Sequence, residues 1–187
     1  MSDRFNILDT ELKGLKILQR NPIGDERGYF ERLFCTNDFL PMIQQKTIVQ
    51  INHTLTAKQG AVRGMHFQYS NYAEAKIVSC MRGKVFDVAV DLRQGSPTLL
   101  QWHSQVLSAD NHTSLLIPEG FAHGFQTLDD NCEMLYFHTV EYQPTYEGAI
   151  NPQDPMLSIC WPQAIVEMSE RDRTHPMLLP DFKGLKL

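Results

Sequence analysis

Arginine, histidine and lysine recur in short polar stretches of this chain in a pattern suited to moving a proton beside an anion. RGMHFQ (63–68) sets Arg63 close to His66. Imidazole is the side chain whose charge changes near neutral pH, so His66 is a candidate base or hydrogen-bonding group. Metal ligation is the rival use, and a divalent ion needs three or four ligands converging at about 2.0–2.2 Å. A His-x-His pair would begin such a set, but Gln68 holds the second position. The local pattern therefore predicts proton transfer and no metal.

Other polar groups fall in similar surroundings. Arg27 in GDERGYF, Arg63, Lys76 in EAKIVSC and Arg171 in SERDR, with Gln50 and Asn52 of VQINH, would suit a diphosphate and a base. Guanidinium groups meet phosphate oxygens in a two-pronged geometry. In IPEGFAHGFQTL, Gly120 and Gly124 bracket His123, which reads as a tight bend presenting the imidazole. Tyr142 ends the run EMLYFHTVEY before Pro144, where a phenol can reach from a strand end into a cavity.

The elements that must position these groups are strands. From Lys46 to Tyr142 the chain is a series of short β-rich runs punctuated by glycine, proline, asparagine or aspartate. KIVSCM, Arg82-Gly83 and KVFDVAVDL read as a hairpin whose second arm alternates. Val85, Asp87, Ala89 and Asp91 fall on one face, and Phe86, Val88, Val90 and Leu92 on the other. The acids exclude a core strand buried on both sides and predict a face toward solvent or a polar cavity, as in a barrel or jelly roll. QWHSQVLS, TSLLIP, HGFQTL and EMLYFHTVEY supply further strands, and short helices are expected near TNDFLPMIQ and in the C-terminal tail.

Length and charge narrow the function. A chain of 187 residues is expected to form one domain over residues 1–187. The formal net charge of -5 offers no general attraction to nucleic acid or an anionic membrane. MSDRFNILDTELKGLKIL lacks an unbroken apolar run, so a cytoplasmic protein is expected. Cys35, Cys80, Cys132 and Cys160 are widely spaced and are expected to be free thiols.

GDERGYF, VQINH, VRGMHFQ, AKIVSCMRGKVFDVAVDLRQGSPT, LSADNHTSLLIPEGFAHGF, LYFHTVEYQPTYEG and SERDRTHP follow one another in a familiar order. From about residue 14 to residue 178 the chain resembles the dTDP-4-dehydrorhamnose 3,5-epimerase family. The resemblance implies an all-β, cupin-like antiparallel jelly roll with short peripheral helices, without metal or cofactor. It also implies a homodimer with N-terminal strand exchange, acting on a nucleoside-diphosphate 4-keto-6-deoxyhexose.

The resemblance assigns the base to His66, its carboxylate partner to Asp172, the acid to Tyr142 and the lysine near the keto oxygen to Lys76. Substrate contacts fall on Arg27, Gln50, Asn52, Arg63, His123, Glu147 and Arg171. The chemistry is consistent, because a C4 carbonyl acidifies the hydrogens at C3 and C5. A base, an enolate stabiliser and an acid on the opposite face then suffice. Asp87 and Asp91 are rival partners for His66.

Three positions depart from the family pattern: Arg32 stands where a glutamate is usual, Pro152 replaces a tryptophan, and Arg171 replaces a lysine. None touches the base, acid or enolate stabiliser, so the departures bear on the nucleotide rather than the chemistry. A single-centre epimerase or ketoisomerase, and a non-catalytic nucleotide-sugar binder, are the alternatives. A binder has no need of a base and an acid on opposite faces.

Overall fold

Alternation and glycine punctuation make strands the dominant regular element of the chain. The computed structural model describes residues 3–187, so Met1 and Ser2 of the expected domain lie outside the described residues. The strands are β1 (Phe5–Asp9), β2 (Lys16–Arg20), β3 (Ile23–Asp25), β4 (Gly28–Phe30), β5 (Gln50–Thr56), β6 (Ala61–Gln68) and β7 (Lys76–Arg82). They continue as β8 (Lys84–Asp91), β9 (Trp102–Ser108), β10 (Thr113–Ile117), β11 (Phe121–Thr127), β12 (Cys132–His138), β13 (Glu147–Ala149) and β14 (Glu167–Met168). Two short helices, α1 (Thr36–Phe39) and α2 (Glu170–Arg173), occupy the regions where helix was expected.

One sheet runs β1-β2-β10-β7-β12-β5 and the other β13-β6-β11-β8-β9, with antiparallel neighbours throughout. β14 joins β6 in parallel, and β3 with β4 forms a separate hairpin. This is the expected jelly roll. Side chains alternate across each strand, so each sheet has two faces to cover. Between the sheets, Val78, Cys80, Leu115 and Met134 meet Val85, Ala89, Leu107 and Phe125. Outside the first sheet, Leu18, Ile77, Leu116 and Phe137 are covered by Phe39 and Ile43. Outside the second, Met65, Val88, Val90 and Ala122 are covered by Ile150, Leu157, Trp161 and Phe182.

Three local expectations are corrected. β7 and β8 are not hairpin partners: β7 pairs with β10 and β12, whereas β8 pairs with β9 and β11. Arg82-Gly83 is a corner at which the chain leaves one sheet for the other. Gly83 takes φ +72°, and a Cβ there would lie 2.9 Å from Cys132 Sγ, so glycine suits the corner. β8 is also buried on both faces, since the C-terminal segment covers its outer side and His123 satisfies Asp87 within. Finally, His123 is not at a bend. It lies inside β11, and the chain turns earlier, at Gly120 with φ +78°.

The four cysteines are free thiols, and burial pushes Cys80 up to about 12. No helix among the described residues is long and apolar enough to cross a membrane.

Candidate active site

The space between the sheets changes character along the strands. Val78 of β7 and Met134 of β12 face the apolar core, but Lys76 begins β7 and His138 ends β12. In the register Lys76 is paired with His138, and His138 with Gln50 of β5. Polar side chains therefore gather at one end of the roll, around a cavity of about 470 Å³.

On the facing sheet, β6 brings two groups to this cavity through an irregularity. His66 opposes His123 and Arg63 opposes Phe125, with the register shifting between. Cross-strand partners share a face, so Arg63 and His66 point the same way despite a spacing of three, where regular alternation requires two. Gly64 and Gly124 permit the crossing. A Cβ on Gly64 would stand 2.6 Å from Gly124 Cα, and one on Gly124 would stand 2.6 Å from Arg63 O.

His66 Nε2 lies 2.8 Å from Asp172 Oδ1. With Nε2–H donated to this acceptor-only group, the imidazole lone pair is on Nδ1. Asp172 reaches β6 because α2 is capped by Ser169, whose Oγ accepts from Asp172 N at 3.0 Å. Burial would raise the Asp172 carboxyl, but the His66 hydrogen bond and charge and the Gly64 N–H bring it below its ordinary value. The turn Asn151-Pro152-Gln153-Asp154-Pro155 supports this arm. Asn151 Nδ2 donates to Arg173 O at 2.9 Å, and Pro152 O accepts from Trp161 Nε1 at 2.9 Å.

The rival acids are occupied elsewhere. Asp87 lies 2.9 Å from His123 Nε2, and Asp91 binds Arg93, Ser96 and Thr98. Burial lowers His123 from its ordinary value, opposed by Asp87.

Tyr142 lies in the loop beyond β12 rather than in the strand, and its hydroxyl donates to Glu147 Oε2 at 2.8 Å. That hydrogen bond raises the phenol. Arg171 pairs with Glu147 and draws the carboxyl below its ordinary value, although burial opposes this. Arg63 is steadied by Thr56, whose Oγ1 accepts from its Nε at 2.8 Å. Lys76, His123, Asn52, Glu147 and Arg171 all line the cavity with His66, Asp172, Arg63 and Tyr142. Gln50 stands just behind, its Oε1 accepting from Tyr142 N at 3.1 Å.

Arg27 is the one expected contact that its own chain does not bring to the cavity. It projects from the β3–β4 hairpin with 89% of its side chain exposed, paired with Asp25. Glu31, beside the unusual Arg32, is held by Arg20 at 2.8 Å and His112 at 3.0 Å. Arg32 lies apart from the cavity, near Asp3, Arg4 and Asn21.

Glu74, Tyr136, His138 and His175 are among the lining or flanking residues not singled out in the sequence. Tyr136 and His138 alternate with the outward Phe137, so strand parity could have found them. Glu74 and His175 lie outside strands and carry no such signal. His175 Nε2 lies 3.2 Å from the same Asp172 oxygen that serves His66. Among the described residues, the ligand atoms of His66, Asp172 and His175 form one trio close enough to hold a metal, within 4.8 Å of one another.

Residues 9–179 match the family described as dTDP-4-dehydrorhamnose 3,5-epimerase. A dTDP-4-dehydrorhamnose 3,5-epimerase of Salmonella typhimurium is 43% identical over 174 residues, covering 92% of this chain and 94% of its own. The structure of a Legionella pneumophila 3,5-epimerase in complex with dTDP-4-keto-L-rhamnose superposes with a TM-score of 0.87 at 38% identity, covering 92% of each chain. That of a Bacillus anthracis dTDP-4-dehydrorhamnose 3,5-epimerase, with TDP and pyrophosphate bound, gives 0.89 at 36% identity, covering 93% of this chain and 99% of the other. The jelly roll is thus cupin-like, and the chain belongs to the dTDP-4-dehydrorhamnose 3,5-epimerase family of isomerases.

Proposed function

We propose that the cavity epimerises a dTDP-4-keto-6-deoxyhexose at C3 and C5, turning dTDP-4-dehydro-6-deoxyglucose into dTDP-4-dehydro-L-rhamnose. The observation that carries this reading is the His66–Asp172 pair opening on the same cavity as Lys76 and Tyr142. His66 takes the proton from the ring carbon, and Asp172 steadies the imidazolium that forms. The electron pair moves into an enolate whose oxygen lies beside the Lys76 ammonium. Tyr142 returns a proton from the opposite face. Its Glu147 hydrogen bond disfavours ionisation and keeps the phenol as a donor until that moment. The tyrosinate recovers its proton from water, as His66 loses its own, so the cycle closes without an oxidant or reductant.

Arg63 and Arg171 serve as cationic contacts for the diphosphate, with Asn52 and Gln50 as further polar substrate contacts. His123, oriented by Asp87, lies deeper. Arg27 acts on a partner subunit in this reading. The hairpin that carries it exposes Ile23, Tyr29 and Phe30, while β5, at an open sheet edge, exposes Ile51 and Leu55. Exposed apolar side chains and an unpaired edge favour strand exchange between two copies. A substrate built on a nucleoside diphosphate suits a cytoplasmic enzyme.

The test is NMR of dTDP-4-keto-6-deoxyglucose with the chelator-treated protein in D₂O. Deuterium at both C3 and C5 is expected. Deuterium at one carbon would replace the double epimerase by a single-centre enzyme, and none with dTDP-sugars bound would leave a binding module.

A further inference from the structure

Lys76 would do little for an enolate if its ammonium wandered, since its four-carbon stem is flexible and its donors rotate. The structure holds it by a buried carboxylate. Lys76 Nζ donates to Glu74 Oε1 at 3.3 Å, while the other oxygen, Oε2, accepts from His138 Nδ1 at 2.6 Å. The three side chains are only 8%, 10% and 12% exposed. A buried carboxylate is costly unless it is paired, and here each oxygen has its own donor.

The chain of hydrogen bonds continues with fixed polarity. His138 gives Nδ1–H to Glu74, so its Nε2 can accept, and Asn52 Nδ2 lies 3.3 Å from it. Asn52 Oδ1 accepts from Gln50 Nε2 at 3.2 Å, and Gln50 Oε1 accepts from the Tyr142 backbone N–H at 3.1 Å. A single series of side chains thus joins the position of Tyr142 to that of Lys76.

We propose that Glu74 and His138 are positioning residues for the reaction, holding the Lys76 ammonium at a fixed place relative to Tyr142 through Asn52 and Gln50. The proposal rests on the epimerase reading above. Neither Glu74 nor His138 needs to touch the sugar.

The test compares the wild-type protein, as purified, with Glu74→Gln and His138→Gln. The amide introduced by Glu74→Gln keeps the shape but can accept through one oxygen only, so its NH₂ is left facing a donor. The expected result is a kcat for C3 and C5 exchange lowered by about tenfold to a hundredfold, the loss that small misplacements of a reacting group produce. Affinity for dTDP should stay close to wild type and Glu74→Asp should recover part of the rate, whereas the thermal midpoint of Glu74→Gln should fall with the loss of the ionised pair. Unchanged kcat in both Gln variants would overturn the proposal. So would a loss of dTDP affinity in step with kcat, because general disruption of the site predicts that pattern.

A second readout does not depend on turnover. In ¹⁵N spectra of the wild-type protein, His138 should carry its proton on Nδ1, and Glu74→Gln should remove that preference. A proton on Nε2 in the wild type would overturn the proposal even if the dTDP-sugar proved not to be the substrate. Loss of exchange in the wild type would fail only the epimerase reading.

Discussion

Arg63 and His66 face the same cavity although they stand three positions apart along β6, because the strand slips register where Gly64 passes Gly124. Gly124→Ala tests whether this crossing holds the site. The new Cβ would meet Arg63 O at 2.6 Å and Met65 Sδ at 2.5 Å, so the backbone of β6 must move. A loss of about 1–3 kcal/mol is expected in urea unfolding, with exchange activity falling further than stability explains. Wild-type behaviour in both would show that the close approach is not needed.

Asp172→Asn should separate orientation from mere presence of a polar neighbour. The amide of this variant can turn either its oxygen or its NH₂ to His66 Nε2, and the latter selects the wrong tautomer. Turned the other way, the amide oxygen can still accept from both His66 and His175, but its NH₂ then faces the Gly64 N–H that lies 3.5 Å from Asp172 Oδ2. Exchange should fall by about 10²–10⁴-fold while dTDP affinity is kept, the range expected for lost general base catalysis. Isothermal titration with dTDP beside D₂O exchange distinguishes the two effects.

Tyr142→Phe removes a donor without changing shape. If Tyr142 returns the proton, abstraction by His66 persists, and deuterium continues to enter while net inversion fails. Following isotope content and stereochemistry in one sample checks this. Equal loss of both would deny Tyr142 a separate role as acid.

Much of this arrangement is readable from the chain, and the unreadable part has a physical cause. Alternation correctly divides Val85, Asp87 and Ala89 from Phe86, Val88 and Val90, but alternation reports faces and not partners. Hence the Arg82-Gly83 corner reads like a hairpin turn, although its arms enter different sheets. Likewise His123 between two glycines reads as a bend. Gly124 instead makes room for Gly64 on the neighbouring strand, a contact between residues far apart in sequence. Asp172 and His66 are equally remote, and only the ordered set of motifs joins them before the fold does. Glu74 escapes because it lies outside any strand; His138, which strand parity places on the cavity face, gains its partner only when the β7–β12 register brings it beside Lys76.

Glu74 also predicts a pH dependence of stability. Burial would raise its carboxyl from 4.5, but Lys76 and His138 overcome this and hold it at about 2. The folded value is below the unfolded one, so the contribution is present in full above about pH 4.5 and is lost as pH falls toward 2. The urea midpoint of the wild type should therefore drop more steeply between these limits than that of Glu74→Gln, measured at matched ionic strength. Parallel curves would remove Glu74 as a source of acid sensitivity.

The trio of His66, Asp172 and His175 leads to a prediction about metal of the opposite sign from a metalloenzyme's. Its ligand atoms lie within 4.8 Å of one another, a spacing that Zn²⁺ could bridge. Zn²⁺ there would take His66 Nε2 and displace the hydrogen bond to Asp172 that orients the ring. It would also draw electron density from the imidazole, weakening Nδ1 as a base. Added Zn²⁺ should therefore inhibit exchange, a chelator should restore it, and His175→Ala should raise the concentration needed by removing one ligand. Activity that requires the ion, lost on chelation and regained with Zn²⁺, would instead assign the trio to a metal centre and give His66 a different task.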